Sequence, residues 1–295
     1  SKHIRFNGTL NFRSLKSENF AELKDLLGGE GFLDVDFFAE GEDNIIVGDI
    51  AQSDLQNRNR IVIEGDRYKY NYEIKARNLS GFAQAQFNYY ALDFYLGTFI
   101  SATNYQRNGL YENGNFPGNR SLGKSEKVKF TDIGIKGGAT YKVSGRHLID
   151  ANLAYYTKAP GIRNAFNNAR QNNDIIIGLE SEKIQSLDIG YIYRSPSVKS
   201  RVTAFYSNFK GGNDLGFYFT ENISGLGLEQ DAFIQEVLSD VEKQNLGIEL
   251  GIEAQITSTF KLKGAASIGQ YTYNNNPTRY ITSDDLKEPL FFGDG

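Results

Sequence analysis

The sequence predicts an all-β protein, folded as an antiparallel up-and-down transmembrane β-barrel with long extracellular loops. Three observations predict this fold class. Apolar and polar residues alternate over stretches that are near the length of a tilted strand crossing a bilayer. The connections between these stretches are short and long in strict alternation, and aromatic residues stand beside the short ones.

Residues 3–13, HIRFNGTLNFR, show the alternation without a break. Successive side chains of a strand point to opposite faces of the sheet, so this stretch has one apolar and one polar face. The apolar set is Ile4, Phe6, Gly8, Leu10 and Phe12, and the polar set is Arg5, Asn7, Thr9, Asn11 and Arg13. Eight further strands are predicted at 67–89, 92–103, 128–143, 147–157, 185–194, 198–209, 245–256 and 260–273. Within 67–89 the apolar residues change face, which predicts a β-bulge near Asn78–Gly81.

The connections predict how the strands are arranged. Four are long enough only for tight turns, between residues 89 and 92, 143 and 147, 194 and 198, and 256 and 260. The others span 14–66, 104–127, 158–184 and 210–244, so an up-and-down sheet places every long loop at one end. Helical spacing predicts two short helices in these loops, at 17–29 with Ser17 as N-cap, and at 228–242.

Alternation alone also fits a soluble β-sandwich with adhesive loops, and this alternative stays open. Strand length, loop asymmetry and the aromatic residues favour the membrane. Tyr89, Tyr141, Tyr193 and Phe260 lie on apolar faces beside short turns, which predicts one interfacial girdle. The residues predicted to contact lipid are Ile4, Leu10, Ile133, Ile135, Leu250 and Ile252. Those predicted to face the lumen are Arg5, Arg13, Lys136, Lys142, Asp150, Asp188, Lys199, Arg201, Glu249, Glu253, Lys261 and Lys263, with Glu253 opposite Lys263 across the last hairpin.

Composition excludes several protein classes. The 295 residues carry a net charge of −4 with mixed signs, which argues against a nucleic-acid-binding protein. There is no Cys, hence no disulfide or cysteine-ligated metal, and no apolar run long enough for a transmembrane helix. Met and Trp are also absent beside 18 Tyr and 21 Phe. The chain starts with SKHIRF, without an initiator Met or signal peptide, so we expect a processed or excerpted chain.

No catalytic, cofactor or metal site is predicted, and an enzyme is not expected. His3 and His147 have no partners that indicate a triad or a zinc site. The glycine-rich stretches 28–31 and 225–230 lack the strand-to-helix context of phosphate-binding loops and are predicted to be turns. Residues 34–44 cluster Asp34, Asp36, Glu40, Glu42 and Asp43. Their spacing fits no known Ca²⁺ loop, so a solvated acidic loop is expected there.

Two loops carry candidate ligand-binding residues. Amides and guanidinium groups in 163–174 could hydrogen-bond a polar ligand, and aromatic residues of the preceding long loop could stack on it. A loop that is polar only for solubility is the alternative. The candidates are Tyr105, Tyr111, Phe116, Arg163, Asn167, Asn168 and Arg170, and the other polar members of this stretch are Asn164, Asn172 and Asn173.

The stretches YYTKAPGIRNAF, LESEKIQSLDIGY and VTAFYSNFK follow one another along the chain and resemble motifs of TonB-dependent outer-membrane receptors, and the Asn-rich loops are similar to those of the Bacteroidetes type. YYTKAPGIRNAF at 155–166 resembles a strand ending in a RAP-like turn, here Lys158, Ala159 and Pro160. LESEKIQSLDIGY at 179–191 and VTAFYSNFK at 202–210 resemble the family's following motifs, although Ser181 replaces the usual Pro and Gly211 follows Lys210. The second stretch matches at Glu182, Ser186, Asp188, Gly190 and Tyr191.

The resemblance implies a receptor in the outer membrane of a Gram-negative bacterium. Such a receptor takes up a bulky nutrient, a siderophore, glycan or peptide, through a plugged barrel of about 22 strands, driven by TonB–ExbB–ExbD. Residues 1–295 are then a single barrel segment without the plug domain, and TonB acts through that missing region. Strands 3–13 and 260–273 are expected to be open edges that pair with further strands of the same polypeptide. The alternative function is docking of surface lipoproteins or of an outer-membrane assembly complex.

Overall fold

The computed structural model describes residues 3–37, 48–220, 232–283, 286 and 288–292. Nine long strands dominate it, and short strands and single turns of 3₁₀ helix lie between them. The strands are β1 Ile4–Glu22, β2 Phe32–Leu33, β3 Ile61–Val62, β4 Arg67–Asn88, β5 Leu92–Gly109, β6 Gly123–Lys124, β7 Val128–Lys142, β8 His147–Lys158, β9 Glu182–Arg194, β10 Val198–Thr220, β11 Ala232–Gln255, β12 Lys261–Tyr273, β13 Thr278–Ser283 and β14 Leu290–Phe292. No helix within these ranges has the length and hydropathy needed to cross a bilayer.

Each long strand pairs antiparallel with the next long strand in the chain, in the order β1-β4-β5-β7-β8-β9-β10-β11. Strand β12 pairs with residues 243–255 of β11, next to the turn between these two strands. Strand β13 pairs with residues 234–239 of β11, and β14 follows it in the sheet. The up-and-down prediction is confirmed. Apart from the two-stranded sheet of β2 and β3, the described chain forms one 12-stranded sheet, so the sandwich alternative is wrong.

The four tight turns are all at one end of the sheet. Backbone hydrogen bonds close them: Tyr89 N donates to Leu92 O at 3.0 Å, Ser144 N to His147 O at 3.1 Å, and Ser195 N to Val198 O at 2.7 Å. In the fourth turn Ile256 N donates to Phe260 O at 2.9 Å. We call the opposite end the long-loop end. The predicted loops there are shorter than expected, because β1 continues to Glu22, β5 to Gly109 and β10 to Thr220, and β11 begins at Ala232.

The outer face of the sheet carries a continuous apolar belt. One row of paired residues crosses eight strands with the side chains on this face, and Phe6 and Leu10 on β1 are 77% and 86% exposed. Soluble proteins rarely expose a continuous apolar surface of this size to water. The row runs Phe6, Ala85, Leu96, Gly137, Leu153, Leu187, Tyr206 and Leu246.

The inner face carries charged side chains, several of which pair across strands. Arg201 Nη2 lies 2.8 Å from Asp150 Oδ2, and Lys142 Nζ lies 2.7 Å from Asp93 Oδ1. Glu253 pairs in register with Lys263, with 3.4 Å between Lys263 Nζ and Glu253 Oε2. The predicted alternation, including the position of Glu253 opposite Lys263, is therefore confirmed.

Glycines on the inner face make room for large side chains that lie flat along the sheet. A Cβ at Gly134 would stand 2.0 Å from Phe99 Cε1, and one at Gly138 would stand 2.6 Å from Tyr95 Cε1. Such distances are far below van der Waals contact, so only glycine fits there. These glycines therefore fix where the aromatic rings of β5 lie on the inner face.

Both predicted helices are wrong within the described residues. Strand β1 continues to Glu22, because β4 offers a partner for each residue up to the pair Glu22 and Arg67. Residues 232–242 belong to β11, and 228–231 lie outside the described residues. Within 232–242, Ile234 and Val237 are buried on opposite faces of the sheet. Asp240 has a positive φ of 57° and lies at a register shift between β10 and β11. Burial on both faces produced the apparent helical spacing.

The predicted bulge near Asn78–Gly81 is also wrong. Both neighbours of β4 keep a continuous register through this stretch. The register shift lies opposite Phe20 and Ala21, near Lys69, whose φ is +62°. The apolar residues of β4 change face because the strand extends beyond the apolar belt. In that part of the strand, Ile74 on the inner face packs against a long loop.

Candidate ligand-binding surface

The first long loop is tied to the sheet through a buried carboxylate. Asp34 accepts hydrogen bonds from Arg60 Nη2 at 2.6 Å and from Lys69 N at 2.8 Å. Asp34 is therefore a buried ion-pair partner and not a solvated residue, which corrects the expectation for this part of the acidic stretch. Glu40, Glu42 and Asp43 lie outside the described residues. Gly28 has a φ of +89°, in keeping with the predicted turn at 28–31, and 225–230 are not described.

The segment 159–181, which we call the crossing segment, folds over the inner face at the long-loop end. Its Ala165 and Phe166 are fully buried against Ile74 of β4. Tyr105 of β5 donates a hydrogen bond from its hydroxyl to Pro160 O at 3.1 Å. The crossing segment is held here by packing and by Tyr105, which the sequence analysis predicted to bind a ligand.

Other residues of the crossing segment contact β10 and β13. Tyr280 donates to Asn167 Oδ1 at 2.9 Å and accepts from Ile177 N at 3.1 Å, and burial raises the pKa of its phenol to about 12. Asn164 and Asn213 each donate to the other's backbone carbonyl, at 3.1 and 2.7 Å. The crossing segment is therefore anchored on both sides of the inner face.

Arg107 is a buried side chain that joins the loop after β5 to the crossing segment, and sequence reasoning missed it. It is 1% exposed, and it donates from Nε to Ala169 O at 2.7 Å and from Nη1 to Ser121 O at 2.7 Å. Nη1 also donates to Asn173 Oδ1 at 2.6 Å. Burial lowers the pKa of Arg107 to about 10, because charge is costly away from water. No local sequence pattern around Arg107 indicates that its side chain bonds to two distant loops.

The predicted ligand-binding residues divide into two groups. Phe116, Asn167 and Asn168 are buried, and Tyr105 and Tyr111 are half-buried with hydroxyls bonded to Pro160 O and to Arg67 O. These side chains hold the loops together. Arg163 and Arg170 are exposed on the crossing segment. Ligand contact by any of the seven residues stays a prediction.

Below the crossing segment, the inner face contains two grooves. One of ≈ 980 Å³ is lined by Asp188, Arg201, Glu249 and Ser267, which places Glu249 on the predicted inner face. The other, of ≈ 900 Å³, lies between β1 and β8 and has Phe82, Phe99 and Tyr156 among its walls. Within the described chain, no three His, Cys, Asp or Glu residues are grouped as a metal site.

Comparison with protein-family models found no match, and comparison with characterised proteins found none either. Solved structures do match. The ferric-catecholate import receptor Fiu from E. coli K12 is similar over 95% of this chain and 40% of its own, with a TM-score of 0.54 and 11% sequence identity. The copper transporter OprC matches 72% of this chain and 42% of its own, with a TM-score of 0.42 and 11% identity. The siderophore receptor PirA from Pseudomonas aeruginosa matches 74% and 55%, with a TM-score of 0.35 and 12% identity.

The match to Fiu extends over nearly the whole of this chain, which spans less than half the length of that receptor. It agrees with the single up-and-down sheet. At this level of identity the likeness concerns the fold. The described sheet has the fold of part of a TonB-dependent-receptor barrel.

Proposed function

We propose that this chain forms part of the barrel wall of an outer-membrane TonB-dependent receptor that imports a bulky nutrient. The observation that carries the proposal is the pair of faces: a belt of exposed apolar side chains outside and paired charges inside. Lipid supplies the apolar surroundings that the belt needs, and the polar face suits a lumen. The fold shared with an import receptor supports the same function.

The remaining parts of the proposal concern what lies beyond this chain. Sheet edges in hydrocarbon are costly, because each unpaired backbone group there costs several kcal/mol. In the described part of the chain β1 pairs only with β4, and β12 only with β11. Residues 1–295 are thus one segment of a larger barrel, and a plug region outside them couples to TonB–ExbB–ExbD.

Single cysteines test the membrane assignment cleanly, because the 295 residues contain none. We place Leu250→Cys on the outer face and Glu249→Cys beside it on the inner face of the full-length receptor in lipid vesicles. A polarity-sensitive fluorophore at 250 should be quenched by nitroxides on lipid chains, and one at 249 by a water-soluble quencher. Protection of residue 250 from both quenchers indicates a dry protein core and contradicts a membrane barrel.

Coupling to TonB distinguishes import from docking. In the native host, the full-length receptor should form crosslinks to TonB, and the crosslinks should change when the proton gradient is collapsed. A receptor that is correctly inserted, as shown by the cysteine pattern, but forms no TonB crosslink favours the docking function. The surface-lipoprotein partner stays a prediction that no described contact supports.

A further inference from the structure

Arginines at the long-loop end differ in whether a carboxylate neutralises them. Arg60 pairs with Asp34, Arg120 with Asp174 at 3.0 Å, and Arg58 with Asp49. Arg170, on the crossing segment, has no ion pair within the ranges that the structure describes. Its guanidinium carbon instead lies 5.3 Å from the ring centroid of Tyr70, a cation–π contact that holds the charge in place at the surface.

A stack of side chains connects Arg170 to the buried Arg107. The rings of Tyr70 and Tyr72 are 6.1 Å apart, and Arg107 lies 5.1 Å from the Tyr72 ring centroid. Burial raises the pKa of Tyr72, while the charges of Arg107 and Arg170 both act to lower it, so both guanidinium groups act on the same phenol. The stack thus holds two positive charges around two tyrosines.

One carboxylate in the described surroundings of the stack compensates only part of these charges. The carboxylate that interacts with Arg107 is Asp174, and Asp174 already forms its ion pair with Arg120. The bonds of Arg107 go to two backbone carbonyls and one amide, which are neutral acceptors. Three guanidinium groups and one carboxylate leave the corner formed by Arg107, Arg120, Arg170, Tyr70 and Tyr72 with an excess of positive charge.

We infer that this corner binds an anionic group, a carboxylate or a phosphate, with Arg170 as the direct contact. An arginine fork matches the geometry of either oxyanion, and a fixed guanidinium loses less entropy on binding than a free one. The crossing segment supplies that fixation through its anchors on β5, β10 and β13. The inference rests on the proposed receptor function and adds the chemical class of its ligand.

The test uses the full-length receptor in nanodiscs at low ionic strength, titrated calorimetrically with citrate and, separately, with inorganic phosphate. Binding of citrate alone indicates a carboxylate site, binding of phosphate alone a phosphate site, and binding of both a general oxyanion site. Arg170→Gln should weaken the binding at least tenfold, and Arg170→Lys should restore only part of it. Arg58→Gln is the matched control, because Asp49 already neutralises that exposed loop arginine; its affinity should stay within twofold of wild type.

The inference is overturned if neither anion binds, or if Arg58→Gln weakens binding as much as Arg170→Gln does. Either result leaves the proposed receptor function intact, since the cysteine pattern across the sheet and the crosslinks to TonB test that function without any ligand. Conversely, a failed cysteine pattern together with arginine-dependent anion binding would retain the anion site and remove the receptor.

Discussion

Glu249 and Leu250 are neighbours on β11, yet their side chains leave the sheet on opposite faces. Glu249 lines a polar groove, and Leu250 is exposed within the apolar belt, paired with Val202 and Ala266. The same one-residue contrast recurs along each long strand. The effect of a substitution in a long strand therefore depends mainly on which face of the sheet the side chain lies on. That face alternates from one residue to the next, so it matters more than where along the strand the residue is.

Leu250→Arg should therefore destabilise the inserted receptor by about 2–4 kcal/mol if the residue lies near the bilayer midplane, because lipid cannot solvate the charge. Ser267→Arg is the matched control: it places arginine on the inner face, directly opposite Glu249. Urea unfolding in lipid vesicles measures both. Equal effects for the two variants would show that the faces are wrongly assigned.

Gly134 tests the close packing of the inner face. Gly134→Ala brings a methyl group onto the Phe99 ring and should cost about 1–3 kcal/mol through overpacking. Gly251→Ala is the control, since no atom lies within 4 Å of a Cβ at that inner-face position. Thermal unfolding in detergent compares them, and a Gly134→Ala variant as stable as Gly251→Ala contradicts the packing described for Phe99.

At the scale of elements, the crossing segment is the part of the long-loop end with the best-defined anchors. It packs on β4 and β5 on one side and hydrogen-bonds to β10 and β13 on the other side. Neutral hydrogen bonds of this kind contribute about 1 kcal/mol each, whereas bonds from a buried guanidinium contribute more. The side held by Tyr280 and Asn213 should consequently open before the side held by Arg107.

Alkaline pH should release the Tyr280 side. The phenol loses its proton near its ordinary pKa of 10 once it is exposed, but only at about 12 in the folded state. The stability that its neutral form contributes is thus complete below pH 10 and is lost between pH 10 and 12. A nitroxide at Arg163→Cys should gain mobility over that range in electron paramagnetic resonance spectra.

Tyr280→Phe should make the same nitroxide mobile already at pH 8, at a cost of about 1–3 kcal/mol for the unpaired Asn167 and Ile177 groups. Tyr218→Phe is the control, because that hydroxyl donates to Glu236 on the surface. If the nitroxide is as immobile in Tyr280→Phe as in the control, Tyr280 is not an anchor.

How far the sequence predicts this fold depends on what surrounds each part of a strand. Where one face of a strand is apolar and exposed and the other carries polar side chains, period-two alternation identified the strands and their faces correctly. Beyond the belt, the crossing segment buries the inner face at Ile74, and β13 and residues around it bury Ile234 on the outer face. Alternation disappears there, and 17–29 and 228–242 looked helical.

The candidate site was harder to predict for a related reason. Asn and aromatic residues in loops suggested ligand contact, but most of them bind the protein itself. Arg107 reaches partners 62 and 66 residues away, contacts that no local pattern reveals. Exposed Arg163 and Arg170 differ from their buried neighbours only through tertiary structure.

At the scale of the whole molecule, the two sheet edges determine what residues 1–295 can do alone. Expressed without flanking sequence in detergent, they should show less heat-resistant β-structure than a chain extended at both ends, because β1 and β12 lack outer partners among the described strands. Circular dichroism during heating measures the difference. A monodisperse, closed pore from the shorter chain contradicts the proposal that this is one segment of a larger barrel.

The long hairpin of β10 and β11 is taller than the apolar band of a membrane barrel. At about 3.3 Å per residue, the 23 residues of β10 extend about 75 Å, which at the tilt of a barrel strand rises about 55 Å. The apolar band of such barrels is about 25 Å tall. More than half of the length of the hairpin therefore lies outside the proposed membrane. There β13 pairs with β11, so this part of the hairpin offers an ordered protein surface outside the proposed membrane, which an antibody could bind without contacting the apolar belt.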